Sequence, residues 1–136
     1  MPLAHPSHTL SSEAAAEMLR AADAAAPHEA CGLLLGVGLH VQTVLQTANV
    51  ADDPARHFEI APASLIAAHR AARAGGPQII GYFHSHPNGL ARPSATDRAS
   101  AAGDGRVWAI VARGRITLWK DAPSGFEPLS YDTVEG

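Results

Sequence analysis

Cysteine is almost missing from this sequence: Cys31 is the one thiol in 136 residues. A lone cysteine excludes an internal disulfide and suits a reducing compartment, so a cytoplasmic location is expected. Charge is sparse as well, with 17% Asp, Glu, Lys and Arg and a net charge of −3 when histidine is neutral. No run of Lys or Arg marks a surface for nucleic acid or anionic lipid, so neither is an expected partner. No apolar stretch approaches the roughly 18 residues that span a bilayer. Met1-Pro2-Leu3-Ala4-His5-Pro6 has neither the basic nor the apolar region of a secretion signal. Internal repeats, linkers and low-complexity blocks are absent, alanine clusters apart. What is left is 46% hydrophobic residues, in a chain long enough to bury a core unaided. Residues 1–136 therefore read as one domain. Much of the apolar count is alanine, which favours helix and adds little bulk to a core.

Histidine is plentiful, with eight in the chain. His5, His8, His28, His40, His57 and His69 are scattered and read as surface or loop residues, but His84 and His86 stand two apart. They close an apolar run, Ile79-Ile80-Gly81-Tyr82-Phe83, that Gly76-Pro77 precedes and Pro87-Asn88-Gly89 follows, which is the pattern of a buried strand. Side chains two apart on a strand share a face, with Cα atoms roughly 6.5–7 Å apart, so both imidazoles can lean onto one ion. Asp97 follows after ten intervening residues, enough for a turn that folds its carboxylate over the pair. Two neutral nitrogens and one carboxylate form a three-ligand set that leaves a zinc ion's fourth position open, as catalytic rather than structural sites do. Ser94-Ala95-Thr96-Asp97 also fits a helix start, with Ser94 as N-cap, Asp97 reaching back and Pro93 just before the cap. The two readings are compatible, because such a helix would fix Asp97 in place.

Along the chain, residues 8–10 suit a short edge strand. A helix capped by Ser11 or Ser12 should run to about Ala26, where Pro27 stops it. Cys31 to Gly36 is apolar on both faces and so belongs inside a sheet covered on both sides. Cys31 itself reads as a small buried residue, since no base adjoins it. His40–Thr47 is the next strand, 49–56 a polar loop, and His57–Ile60 a short strand. Pro62 opens a second helix with Leu65, Ile66 and His69 on one stripe, ending at Gly75-Gly76. After the histidine strand come a short helix from Ser94 to about Ala102 and strands 107–111 and 116–119 across an Arg113-Gly114 turn. A last strand is expected from Phe126 to Tyr131, and the tail from Asp132 is expected to fray. The whole is an α/β or mixed α+β pattern, a mixed sheet with about three helices.

A zinc hydrolase also needs a base beside the attacking water, and the histidine segment has no spare glutamate. Glu29 opens the other central strand, although its own segment alone reads as a solvated loop. Glu29-Ala30-Cys31-Gly32-Leu33-Leu34-Leu35-Gly36, then His84-Ser85-His86-Pro87 and Pro93-Ser94-Ala95-Thr96-Asp97, resembles the JAMM (MPN+) metalloprotease family. The stretch from Asn49 through Phe58-Glu59-Ile60-Ala61-Pro62 resembles that family's middle segment, so the likeness runs from Pro27 to about Ala112. The resemblance implies a fold like that of cytidine deaminase, with a central mixed sheet flanked by helices. It implies zinc on His84, His86 and Asp97, Glu29 as the base that passes a proton to the leaving amine, and Ser94 as oxyanion donor. It also implies amide hydrolysis after the C-terminal tail of a ubiquitin-like or sulfur-carrier protein. Short turns after Gly36 and Gly103 match the compact prokaryotic type.

Several rivals share parts of this pattern. A silent MPN scaffold typically lacks some of the ligand set, whereas every position is filled here. Amidohydrolases and PHP-type phosphoesterases use His-x-His on far longer barrels. A zinc nucleoside deaminase needs a Cys-x-x-Cys pair. The RadC group shares His-x-His-Pro and Ser-x-x-Asp, but its usual further N-terminal helical region is not expected here. A general small-peptide zinc hydrolase stays open as the alternative to a carrier-specific enzyme.

Overall fold

The structure is a computed structural model that describes residues 8–135. The expectation for Met1–Pro6, His5 included, lies outside them. Among the described residues, eight strands form one mixed sheet. In chain order the elements are β1 (His8–Ser11), α1 (Ser12–Ala25), β2 (Cys31–Val37), β3 (His40–Thr47), α2 (Pro62–Arg73), β4 (Gln78–Ser85), α3 (Ala95–Ser100), β5 (Val107–Ala112), β6 (Arg115–Ala122), β7 (Gly125–Leu129) and β8 (Tyr131–Val134). Across the sheet the order is β7-β6-β5-β4-β2-β3-β1-β8. The outermost strands β7 and β8 are separated in sequence by Ser130 alone, so the sheet has to curl until its ends approach. The Tyr131 hydroxyl, at the start of β8, donates to the Ile116 carbonyl of β6 across that gap, at 2.7 Å.

Helix α1 fills the hollow, packing on β1, β3, β4, β5, β6 and β8. Its buried stripe is Ala14, Met18 and Ala21, one face at helical spacing, and the alanines let the helix sit close to the sheet. Ser11 caps it, accepting from the Ala14 N–H at 3.0 Å while donating to the Gln42 carbonyl at 2.7 Å. Leu10, Met18, Leu34 and Phe83 meet in this inner core, each burial contributing about 1.5–3 kcal/mol. On the opposite face, Cys31 and Leu33 pack with Ile60 and Ala68 beneath α2. β2 is thus covered on both sides, as its apolar run implies, and lies between antiparallel partners β3 and β4.

Four expectations need correction. The first strand is no edge: β1 lies between β3 and β8, parallel to both. The tail does not fray, because Tyr131–Val134 pairs with His8–Ser11 along the side of β1 that the curled sheet brings within reach. Segment 57–60 is no strand and makes one bridge, Asn49 to Ile60. On α2 the inward residues are Leu65 and Ala68, whereas Ile66, a step of about 100° round the helix, is 52% exposed. No helix among the described residues is long and apolar enough to cross a membrane.

Gly81 shows how closely β4 is held. A Cβ there would overlap the Val107 backbone carbonyl of β5. Gly81→Ala is therefore expected to cost about 1–3 kcal/mol, as overpacking does. It should appear as a lower denaturant midpoint with an unchanged slope. An unchanged midpoint would mean that β5 yields without cost.

Candidate metal centre

β4 carries His84 inside the sheet, opposite Cys31 of β2, and delivers His86 one residue past its end. The His86 N–H donates to the Val111 carbonyl of β5 at 2.8 Å, which extends the ladder to that residue. The Pro87-Asn88-Gly89 turn then folds back: Gly89 adopts φ +82°, and its N–H donates to the His86 carbonyl at 2.9 Å. This brings the Leu90 carbonyl to 2.7 Å from His86 Nδ1. A carbonyl only accepts, so Nδ1 carries the hydrogen and a neutral His86 presents a bare lone pair at Nε2.

The α3 terminus supplies the third group. Ser94 Oγ accepts from the Asp97 N–H at 3.0 Å, and Asp97 Oδ2 accepts from the Ser94 N–H at 2.9 Å, a reciprocal cap. The cap holds Oδ2 3.1 Å from His84 Nε2 and 3.0 Å from His86 Nε2, and the two nitrogens are 2.9 Å apart. These atoms form a nearly equilateral triangle in which a lone pair of neutral His86 faces a lone pair of the carboxylate. Such a contact is repulsive without a positive centre, either a proton or a metal ion. Zinc ligands at about 2.0–2.1 Å in tetrahedral array stand about 3.3 Å apart. The triangle is within a few tenths of that, and its nitrogen and oxygen donors are the types zinc takes.

The surroundings sharpen the electrostatics. His84, His86 and Asp97 are 0%, 5% and 2% exposed. Burial alone would raise the Asp97 carboxyl, but the His84 and His86 rings, then the Ser94 N–H, hold it far below the usual carboxylate range. Burial lowers His84, against the pull of Asp97. For His86 burial is outweighed by Asp97 and the Leu90 carbonyl, and its pKa is raised. The His84 ring stacks on Phe58 at 4.4 Å and 21° and meets the edge of Trp108 at 5.7 Å.

Glu29 joins this group. It is 4% exposed, its Oε1 is buried with no hydrogen-bond partner, and its carboxylate lies within 4.8 Å of ligand atoms on both histidines. Burial first, then Asp97 and Asp53 against His86, pushes its pKa up to about 8. A buried, unpartnered carboxylate is costly. The fold tolerates it because the backbone on either side is tied down. The Ser85 hydroxyl accepts from the Ala30 N–H at 2.8 Å, the Glu29 N–H donates to the Pro54 carbonyl at 2.7 Å, and Asn49 Nδ2 donates to the Glu29 carbonyl at 3.1 Å. Asn49 Nδ2 also reaches the His57 carbonyl at 3.0 Å, while its Oδ1 accepts from the N–H groups of Ala51 and Glu59, both at 3.1 Å. One side chain thus links Glu29 to the segment that carries Phe58.

The structure brings Glu29, His84, His86, Ser94 and Asp97 together. Reading the sequence alone missed Asn49, Ser85, Phe58 and Trp108. Only the alternation that turns Ser85 away from its histidine neighbours hinted at a separate task. Cys31 is fully buried, with its thiol pKa raised by burial, and belongs to the outer core.

The pattern of prokaryotic homologues of the JAB domain matches residues 11–122, and the chain belongs to that family, with a JAMM/MPN fold. A desampylase from Haloferax volcanii is 34% identical over 107 residues, which are 76% of this chain and 77% of that protein. The solution structure of a Desulfitobacterium hafniense protein superposes with a TM-score of 0.82 at 31% identity, over 94% of this chain and 93% of that one. A JAB1/MPN domain protein from Archaeoglobus fulgidus shares the fold, at TM-score 0.65 and 21% identity over 96% of this chain and all of the other.

Proposed function

We propose that this chain is a zinc-dependent peptidase or isopeptidase that hydrolyses the amide after the C-terminal tail of a ubiquitin-like or sulfur-carrier protein. The observation that carries the reading is the triangle of two Nε2 atoms and Asp97 Oδ2, with sides of 2.9–3.1 Å, beside the unpartnered Glu29 carboxylate. The desampylase relative supports the substrate class.

His84, His86 and Asp97 would hold the ion, and zinc bound there supplies Lewis acidity that polarises the scissile carbonyl and acidifies water. Glu29 Oε1 has no competing partner, so it is free to take a proton from the attacking water and hand it to the leaving amine. Burial raises its pKa in the metal-free chain, and a cation bound beside it would lower it again, leaving the carboxylate ionised and ready to accept a proton. The Ser94 oxygen is engaged as an acceptor in the cap, which leaves its own hydrogen to donate to the developing oxyanion.

Ser94 therefore has two separable roles. Ser94→Ala removes both cap and donor, and should cost about 1 kcal/mol of stability. Ser94→Gly keeps a tolerable N-cap without a hydroxyl, and should still lose on the order of 10²–10³ in turnover. Full activity in the glycine variant would leave the hydroxyl a cap alone.

The substrate class is tested by comparing a folded carrier bearing a short C-terminal extension with a free peptide of the same tail, each with and without chelator. Chelator should abolish both reactions, and the folded carrier should be cut faster. Equal rates would favour a general small-peptide hydrolase, and no hydrolysis at all a silent scaffold.

A further inference from the structure

Two arginines border the centre beside Ser94. Behind Ser94 lies a cavity of about 410 Å³ that takes in His86 and Ser94 together with Arg92 and Arg98. Neither arginine is in an ion pair among the described residues, in contrast to Arg56 with Asp53 and Arg106 with Asp104. The carboxylate nearest in sequence, Asp97, is committed to His84, His86 and the Ser94 N–H. Both arginines are exposed, so their guanidinium groups can swing toward a ligand. In a chain of net charge −3 this cavity presents cations with no counter-charge.

Building on the proposed amide hydrolysis, we propose that Arg92 and Arg98 form a leaving-group subsite for a free α-carboxylate. The preferred substrate is then a carrier tail ending in a single amino acid or a very short peptide, ahead of a tail joined to a lysine side chain.

The geometry of the leaving group decides between these. In hydrolysis the water oxygen bonds to the tail's carbonyl carbon, the C–N bond breaks, and the nitrogen departs with the proton relayed by Glu29. If that nitrogen is an α-amine, the carboxylate carbon is only two bonds from the reacting atom. If it is a lysine Nε, four methylenes intervene and the backbone beyond them is neutral. Each further residue in an extension carries the terminal carboxylate roughly 3.3–3.6 Å away. Guanidinium groups bind carboxylates in bidentate, charge-assisted pairs, so a subsite of this kind discriminates by charge and by length.

The test uses the zinc-loaded full chain and one folded carrier in four forms: a one-residue extension with a free carboxylate, the same extension as the carboxamide, a six-residue extension, and an isopeptide to lysine. The free acid should exceed the carboxamide in kcat/KM by roughly tenfold to a hundredfold, the worth of a hydrogen bond to a charged group. In the double variant Arg92→Gln/Arg98→Gln that ratio should fall to about one, whereas Arg70→Gln, outside the cavity, should keep it. Zinc content and circular dichroism check that the variants are loaded and folded. Binding of the labelled acid and carboxamide extensions to chelated protein should show the same order. Equal rates for acid and carboxamide, a preference that survives the double variant, or fastest cleavage of the isopeptide would each overturn the subsite while leaving the hydrolase reading intact. No cleavage of any form would overturn both.

Discussion

Glu29→Gln is expected to lower kcat by roughly 10²–10⁴ with zinc still bound, because the change preserves the side chain's shape and removes only its ability to carry a proton. Zinc content and turnover measured on the same preparation check this. Loss of both together would make Glu29 a ligand or a folding residue. Stability should move the other way in chelated protein. Glu29's pKa lies above its ordinary value, so between about 4.5 and about 8 the folded state holds a proton that the unfolded chain releases. Stability contributed by this group therefore falls as pH rises through that window. Glutamine does not ionise, so the chelated variant should melt above the chelated wild type near pH 8 and match it near pH 4. An identical melting difference at both pH values would contradict the buried, unpartnered state of this carboxylate.

Asp97→Asn should have the other large effect. Asparagine keeps an oxygen for the Ser94 N–H, so the reciprocal cap survives apart from the modest loss of a charge at the helix N-terminus. What disappears is the charge that the two imidazoles face. Metal affinity should fall by more than the roughly 10–100-fold that follows loss of an outer-shell partner, and activity should fall with it. Far-ultraviolet circular dichroism and the denaturant midpoint report the fold, and a zinc titration against a competing chelator reports the site. A folded Asp97→Asn protein that binds zinc as the wild type does would remove Asp97 from the ligand set.

How much of this was legible in the sequence depends on the distance over which each residue acts. The His84/His86 pair and the Ser94/Asp97 cap are local, set by the two-residue period of a strand and the three-residue reach of a cap, and both could be read directly. β2 could be placed in the interior because apolar residues on both faces of a strand need two covers. Glu29 could not be brought to the histidines by periodicity. Only its likeness to a family did so, and the register of β2 against β4 supplies the physical cause. Asn49 was invisible for the same reason: its bonds tie together chain segments with no local signature. The tail was misread because a strand's partner cannot be seen from one polar segment. β8 forms because the sheet curls and brings it alongside β1.

The account rests most directly on the ion. Elemental analysis of purified protein, with the His84→Ala variant beside it and hydrolysis of a carrier extension followed before and after chelation, puts that to the test. The account predicts about one tightly held zinc per wild-type chain, none in the variant, and activity that chelator removes and zinc restores. Wild-type protein that holds no divalent metal tightly, with His84→Ala as active as the parent, would contradict it.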